Sequence, residues 1–262
     1  VAGQQASNNP VPRHTWKNPT FKGALEHDFN NDIMGYFSVS SGFQSGYYNL
    51  SAPQTAPVNP TTIVGYEVGL KSVFFENRVR LNTAAFLYDI KNIVVTHNTG
   101  GINIQSNAAS SQSKGVDVDI TFVPIQNLTV TAAFEYLDPK YTDFKGAVGY
   151  QPNARGTYDN FIYDATGRQL QYTQKFTGAL TATYRIPTKV GDFSLVGNIS
   201  QQGAKPYDDQ GLNVQPAYTL VNASATWFAP DGRESISLSG KNLTNRKIAG
   251  FLPVQVMMWY NT

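Results

Sequence analysis

The chain contains no cysteine, so it has neither disulfides nor thiolate metal sites. It has no apolar run approaching the ~20 residues of a membrane helix, which excludes a helical membrane protein but not a β-barrel, whose signal is alternating and dilute. Charge is scarce: Asp, Glu, Lys and Arg make up 15% of 262 residues, and the net charge is +2. The basic residues are scattered, which gives no footprint for nucleic acid. No segment reads as a long helix, so no glycine-rich loop can present phosphate to a helix N-terminus. The histidines, His14, His27 and His97, are isolated and imply no catalytic or metal-binding set. No catalytic constellation and no cofactor is expected, and the chain does not read as an enzyme. It starts Val1-Ala2-Gly3 with neither Met nor a leader, which predicts a processed chain or a piece of a longer one.

Aromatics and alternation take the place of these absent signals. In the stretch Gln171–Ile186, Tyr172, Phe176, Gly178, Leu180, Ala182, Tyr184 and Ile186 fall on one face, with Gln174 the one polar side chain among them. Thr173, Lys175, Thr177, Thr181, Thr183 and Arg185 fall on the other. Side chains alternate across a strand, so this predicts a half-buried strand much longer than the usual ~5–6 residues. Tyr172 and Tyr184 would stand roughly 40 Å apart along it at about 3.3 Å per residue. Tilted by about 45°, that matches the ~25 Å apolar band between the two aromatic girdles of an outer-membrane barrel. A long strand of a soluble sandwich is the alternative.

The rest of the chain has the same texture. Residues 1–18 read as loop. Strands are predicted over Thr20–Phe29, Ile33–Phe43, Thr61–Phe75, Arg78–Val95, Gly115–Pro124, Leu128–Tyr136, Phe193–Ile199, Ala217–Phe228 and Glu234–Lys241. A weaker one over Phe251–Tyr260 is interrupted by Pro253. Short turns are expected near Asn31, Asn77, Gln126, Lys189 and Asp231. Long loops fall between them: up to Pro60, Thr96–Ser113, Pro139–Leu170 and Gly203–Gln215. Strict alternation of short turns and long loops is the outer-membrane arrangement, with the short turns periplasmic and the long loops extracellular. The fold class expected is all-β, an antiparallel transmembrane β-barrel, here partial, with about ten to eleven strands over residues 19–262.

Several segments together resemble the C-terminal barrel portion of TonB-dependent outer-membrane receptors. They are Val64-Gly65-Tyr66-Glu67-Val68-Gly69-Leu70-Lys71-Ser72, then Arg80 to Asp89, then Ser113-Lys114-Gly115-Val116-Asp117-Val118-Asp119. Tyr136-Leu137-Asp138 with Lys140 to Phe144, and Leu238-Ser239-Gly240-Lys241-Asn242-Leu243-Thr244-Asn245, complete the ordered set. The resemblance runs from Pro19 to about Gly250. It implies energised uptake of a scarce ligand, most often a ferric siderophore, across the outer membrane of a Gram-negative bacterium. It also implies outer-membrane lipid, a plug domain and the TonB complex as partners. Such a barrel has about 22 strands. Nothing here resembles the plug or the TonB-binding segment, so the chain is expected to be a fragment, forming an open sheet. A passive porin-type channel and a soluble carbohydrate-binding sandwich are the rival readings.

On a barrel wall, Glu67, Lys71, Arg78, Arg80, Asp117, Asp119, Glu135, Lys175 and Arg185 would face the wet lumen, and by the resemblance the plug. Phe43, Tyr47 and Tyr48 in one long loop, and Tyr150, Tyr158, Phe161 and Tyr163 in another, are the candidate ligand contacts. Amphipathic rings on loops suit a siderophore, a corrinoid or a glycan, although loop–loop packing would use the same residues. Asp138, Asp143, Asp208 and Asp209 are read first as solvated loop carboxylates and second as ligands for a hard cation.

Overall fold

The structure, a computed structural model, describes residues 13–49, 56–99 and 102–248. The possible strand at Phe251–Tyr260 lies outside them, as do the first twelve residues of the leading loop. Ten strands form one antiparallel sheet: β1 (Lys22–Asn30), β2 (Ile33–Gln44), β3 (Thr61–Phe74), β4 (Val79–Thr99), β5 (Ile102–Phe122), β6 (Leu128–Asp143), β9 (Phe176–Thr188), β10 (Gly191–Gln202), β13 (Tyr218–Phe228) and β14 (Ser235–Gly240). Each pairs with its neighbour in chain order, a meander from β1 to β14, and among the described residues these two edge strands do not pair with each other. Two small hairpins stand apart from it, β7 (Ala147–Pro152) with β8 (Tyr158–Tyr163), and β11 (Lys205–Pro206) with β12 (Val214–Gln215).

The register carries the alternation from strand to strand. Leu180 lies between Ala132 and Ile199, while Thr181 lies between Thr131 and Asn198. On the second face, polar side chains bond across strands: Asn222 Nδ2 donates to Asn198 Oδ1 at 3.1 Å, and Asn198 Nδ2 to Thr181 Oγ1 at 2.9 Å. The apolar face is the uncovered one. Leu25 is 75% exposed and Leu180 45%, whereas Thr181, Asn198 and Asn222 are half-buried. A sheet that turns aliphatic side chains outward and bonds polar side chains to one another across its second face inverts the pattern of a soluble domain. Phe176, Leu180 and Tyr184 are not buried between two facing sheets, so the sandwich reading is excluded.

Aromatic residues mark both ends of the apolar face. Phe29, Phe74, Phe122, Phe193 and Trp227 gather at the short-turn end, where Trp227 Nε1 donates to the carbonyl of Val190. Tyr136 and Phe176 pair side by side toward the other end. From Phe176 to Ile186 is about 10 residues, or roughly 33 Å of strand and roughly 23 Å of height at a 45° tilt. The band is therefore set by Phe176. Tyr172, expected to mark it, lies before β9 in a turn, with φ 61°; its N–H donates to Pro206 and its ring packs edge-on against Tyr207.

Two predicted loops prove to be largely strand. The segment 96–113 continues the β4–β5 ladder, which runs to the Thr99–Ile102 pair, with a bulge between Ile90 and Ile93. The third long connection keeps β6 paired out to Asp143 and then carries the β7–β8 hairpin. The small and polar residues of both segments hide a period of two, because these extensions pack against loops and not against a uniform apolar medium.

Candidate functional site

Of the wall residues, Glu67, Lys71, Arg80, Asp117, Asp119, Glu135 and Arg185 all lie on the polar face. Asp117 stands directly across from Glu135, and Asp119 across from Asn82. Tyr36 organises the adjoining patch. Its ring lies over Gly69, its pairing partner, where a Cβ would collide with it. Its hydroxyl donates to Glu67 Oε1 at 2.6 Å, and Lys71 Nζ sits 5.4 Å from its ring centroid. The ion pairs of the described residues are Lys140–Asp138, Lys145–Asp143 and Arg233–Asp231, none of them on this face. Among the described residues, Glu67, Asp117, Asp119 and Glu135 therefore have no cationic side chain in salt-bridge contact.

Two residues expected on this wall are not there. Arg78 sits in the β3–β4 turn, its N–H donating to Phe75 and its carbonyl accepting from Val123. Three consecutive left-handed residues, Phe75, Glu76 and Asn77, end β3 before Arg78 can join β4. Lys175 precedes β9, and its carbonyl accepts from Leu137 N–H.

The second surface is the long-loop end, where the buried core of the described residues is found. Val95, Ala109, Tyr141, Phe144, Ala147 and Ala165 pack together there, joined by Tyr163 and Leu170. Tyr141 Oη donates to Asp209 Oδ1 at 2.7 Å, tying β6 to the β10–β13 connection. Gln210 adds two ties: its Oε1 accepts from Tyr150 N–H at 2.7 Å, and its carbonyl accepts from Arg168 at 2.8 Å. Burial raises the Tyr141 phenol, and the charge of Asp209 reinforces this. Burial likewise raises the Asp209 carboxyl; the Tyr141 bond opposes the shift and Asp208 adds to it. Tyr163 is pushed up to about 12, by burial first and then by Asp209, while Arg168 acts the other way.

Of the candidate aromatic contacts, Tyr150, Tyr158, Phe161 and Tyr163 lie on the β7–β8 hairpin and Tyr47 and Tyr48 follow β2, whereas Phe43, expected in that loop, is a residue of β2 itself. Phe161 lies across Gly149 in the β7–β8 hairpin and contacts Tyr163, with ring centroids 5.7 Å apart. Tyr158 is 46% exposed at the start of β8, and Tyr150 lines a recess beside Asp209. Phe43 ends the apolar face of β2, Tyr47 is exposed and bridges Val58, and Tyr48 approaches Trp16. Of the acidic residues expected in loops, Asp138 and Asp143 belong to β6, and Asp208 and Asp209 to the β10–β13 connection. Asp208 accepts from the N–H groups of Leu212 and Asn213, and Asp138 is held low by the Lys140 ammonium that donates to it. No group of three or more metal-ligating side chains occurs among the described residues. Tyr141, Phe144, Tyr207 and the Asp209 tie were not singled out from sequence as site residues; spacing gives no sign of a contact 68 residues long.

Residues 2–243 match the family described as TonB dependent receptor-like, beta-barrel. A protein of Haemophilus influenzae described as an uncharacterized TonB-dependent receptor is 28% identical over 194 residues, 69% of this chain and 49% of that protein. Among solved structures, the ferric yersiniabactin uptake receptor FyuA of Yersinia pestis superposes with a TM-score of 0.70 at 17% identity, over 87% of this chain and 32% of its own. The ferric preacinetobactin receptor BauA of Acinetobacter baumannii gives 0.67 at 19%, over 92% and 34%. The chain thus spans about half of that curated relative and about a third of the solved receptors.

Proposed function

Because this chain belongs to the TonB-dependent receptor-like β-barrel family, we propose that it supplies part of the wall and outer loops of an energised outer-membrane receptor for a ferric siderophore. The observation that carries the reading is the inverted sheet: aliphatic side chains and aromatic girdles on one face, polar and charged side chains on the other, and, among the described residues, a packed loop cluster at one end. TonB-dependent receptors transport and do no covalent chemistry. In this reading the short turns are periplasmic, the outer face meets the lipid of a Gram-negative outer membrane, and the loops of Tyr47 and Tyr158 meet the ligand outside. The polar face meets a plug domain, and Glu67, Asp117, Asp119 and Glu135, which lack salt-bridge partners among the described residues, are where plug cations would dock. Ferric siderophore is the favoured cargo because FyuA and BauA, which share the fold, are receptors for such chelates.

The test is uptake of radiolabelled iron chelates by cells carrying or lacking the full-length gene, with and without a protonophore. Uptake that needs both the gene and the proton gradient supports the proposal. Gene-dependent flux indifferent to the protonophore would instead support the passive channel.

A further inference from the structure

We infer that the recess beside Asp209 is a subsite for a cationic group of the ligand, an ammonium or a guanidinium. The recess has a volume of about 150 Å³ and is lined in part by Phe144, Tyr150, Gln171, Asp208, Asp209 and Gln210. At ~30 Å³ per water it holds roughly five waters, or one small organic cation. The Asp209 carboxylate is half-buried in its wall and, among the described residues, receives one hydrogen bond, from the neutral Tyr141 phenol to Oδ1.

A sheltered carboxylate ordinarily has a counter-ion. The cations of the surrounding loops have other contacts. The Arg168 guanidinium donates to the Gln210 carbonyl and lies 5.2 Å from the Tyr163 ring centroid. Lys205 Nζ sits 5.1 Å from the Tyr207 ring centroid, and Lys145 pairs loosely with the exposed Asp143. Asp208 contributes a second negative charge, with its oxygens already accepting from Leu212 and Asn213 N–H groups. Among the described residues neither carboxylate has a salt-bridge partner, and this negative charge, with the Phe144 and Tyr150 side chains and the Gln171 amide in the lining, selects a cation and repels a free carboxylate. The raised Asp209 carboxyl is consistent with a charge that gains from such a guest. Phe144 is fixed by the core and Tyr150 by its N–H bond to Gln210, so the recess is formed before ligand arrives.

The inference rests on the reading of these loops as the receptor's ligand-facing end. It is tested on the full-length receptor in detergent micelles, with ethylammonium chloride as probe and with sodium chloride and sodium acetate as controls, followed by saturation-transfer NMR. Ethylammonium should bind saturably and acetate should not. Asp209→Asn, whose amide oxygen still accepts from Tyr141, should weaken ethylammonium at least about tenfold, by the loss of more than about 1.4 kcal/mol, with the melting temperature little changed. Tyr141→Phe should retain binding. Equal binding by wild type and Asp209→Asn, or no saturable binding by the folded wild type, overturns the subsite. Energised iron uptake with no ethylammonium binding would refute the subsite alone. Ethylammonium binding without gene-dependent uptake would refute the transport reading and leave the subsite standing.

Discussion

Replacing Leu180 and Thr181 by arginine, one at a time, separates the two faces of the sheet. Leu180 is 45% exposed on the apolar face, between Ala132 and Ile199. It lies about 4 residues from Phe176 and about 6 from Ile186, so near the middle of the band, where an arginine on the lipid side costs about 2–4 kcal/mol. Thr181 points the other way and accepts a hydrogen bond from Asn198 Nδ2 at 2.9 Å. Losing that bond costs about 0.5–1.5 kcal/mol, and an arginine there keeps its charge in water. The two variants should therefore differ by roughly 2 kcal/mol, or about 30-fold in the folding equilibrium. The assay is urea-dependent folding of the full-length receptor into lipid vesicles. Equal penalties, or a larger one for Thr181→Arg, would refute the assignment of faces.

Single cysteines at Tyr47 and Tyr158 should be labelled on intact cells by an impermeant maleimide, and those at Asn77 and Asp231 only after permeabilisation; the reverse pattern would invert the topology. Gly115→Ala should destabilise more than Gly69→Ala in the same folding assay, because the added methyl at Gly115 meets the backbone carbonyl of Tyr136, whereas at Gly69 it meets the Tyr36 ring, which can turn. Tyr141→Phe should speed amide hydrogen exchange across residues 205–215 by about tenfold, reflecting a lost charge-assisted bond of about 1.5 kcal/mol or more. The Tyr163 phenol, raised above its unfolded value, contributes loop stability that is fully present below pH ~10. That contribution is lost as pH rises through about 12. Ultraviolet titration of wild type against Tyr163→Phe would reveal the step, and a step near 10 would contradict the burial argument.

The wall was legible in the sequence because lipid imposes one rule on every strand. Leu180, Ala182 and Tyr184 alternate with Thr181, Thr183 and Arg185 whatever their neighbours, and Asn31, Asn77 and Asp231 mark the turns by their own backbone preferences. The loop end obeys no such rule. Ala108 to Ser111 form strand, yet Ala109 and Ser111 are buried by contacts from elsewhere in the chain, so small polar residues read as loop. Tyr172 continued the alternation in sequence, but a left-handed backbone and a bond to Pro206 take it out of the strand. The wall charges could be placed by parity alone, except where Arg78 and Lys175 fell just beyond the strand ends. The Tyr141–Asp209 tie, and with it the recess, depends on two segments meeting at the rim, which no local pattern encodes.

The claim that β9 crosses a bilayer is tested most directly by nitroxide spin labels placed singly from Phe176 to Ile186 in the full-length receptor in liposomes. Collisional relaxation by oxygen and by a water-soluble nickel chelate is measured at each site. Oxygen access should oscillate with a period of two, high at even positions and greatest near Leu180, with nickel access high at the odd ones. A flat profile, or nickel access at Leu180 equal to that at Thr181, would contradict the account.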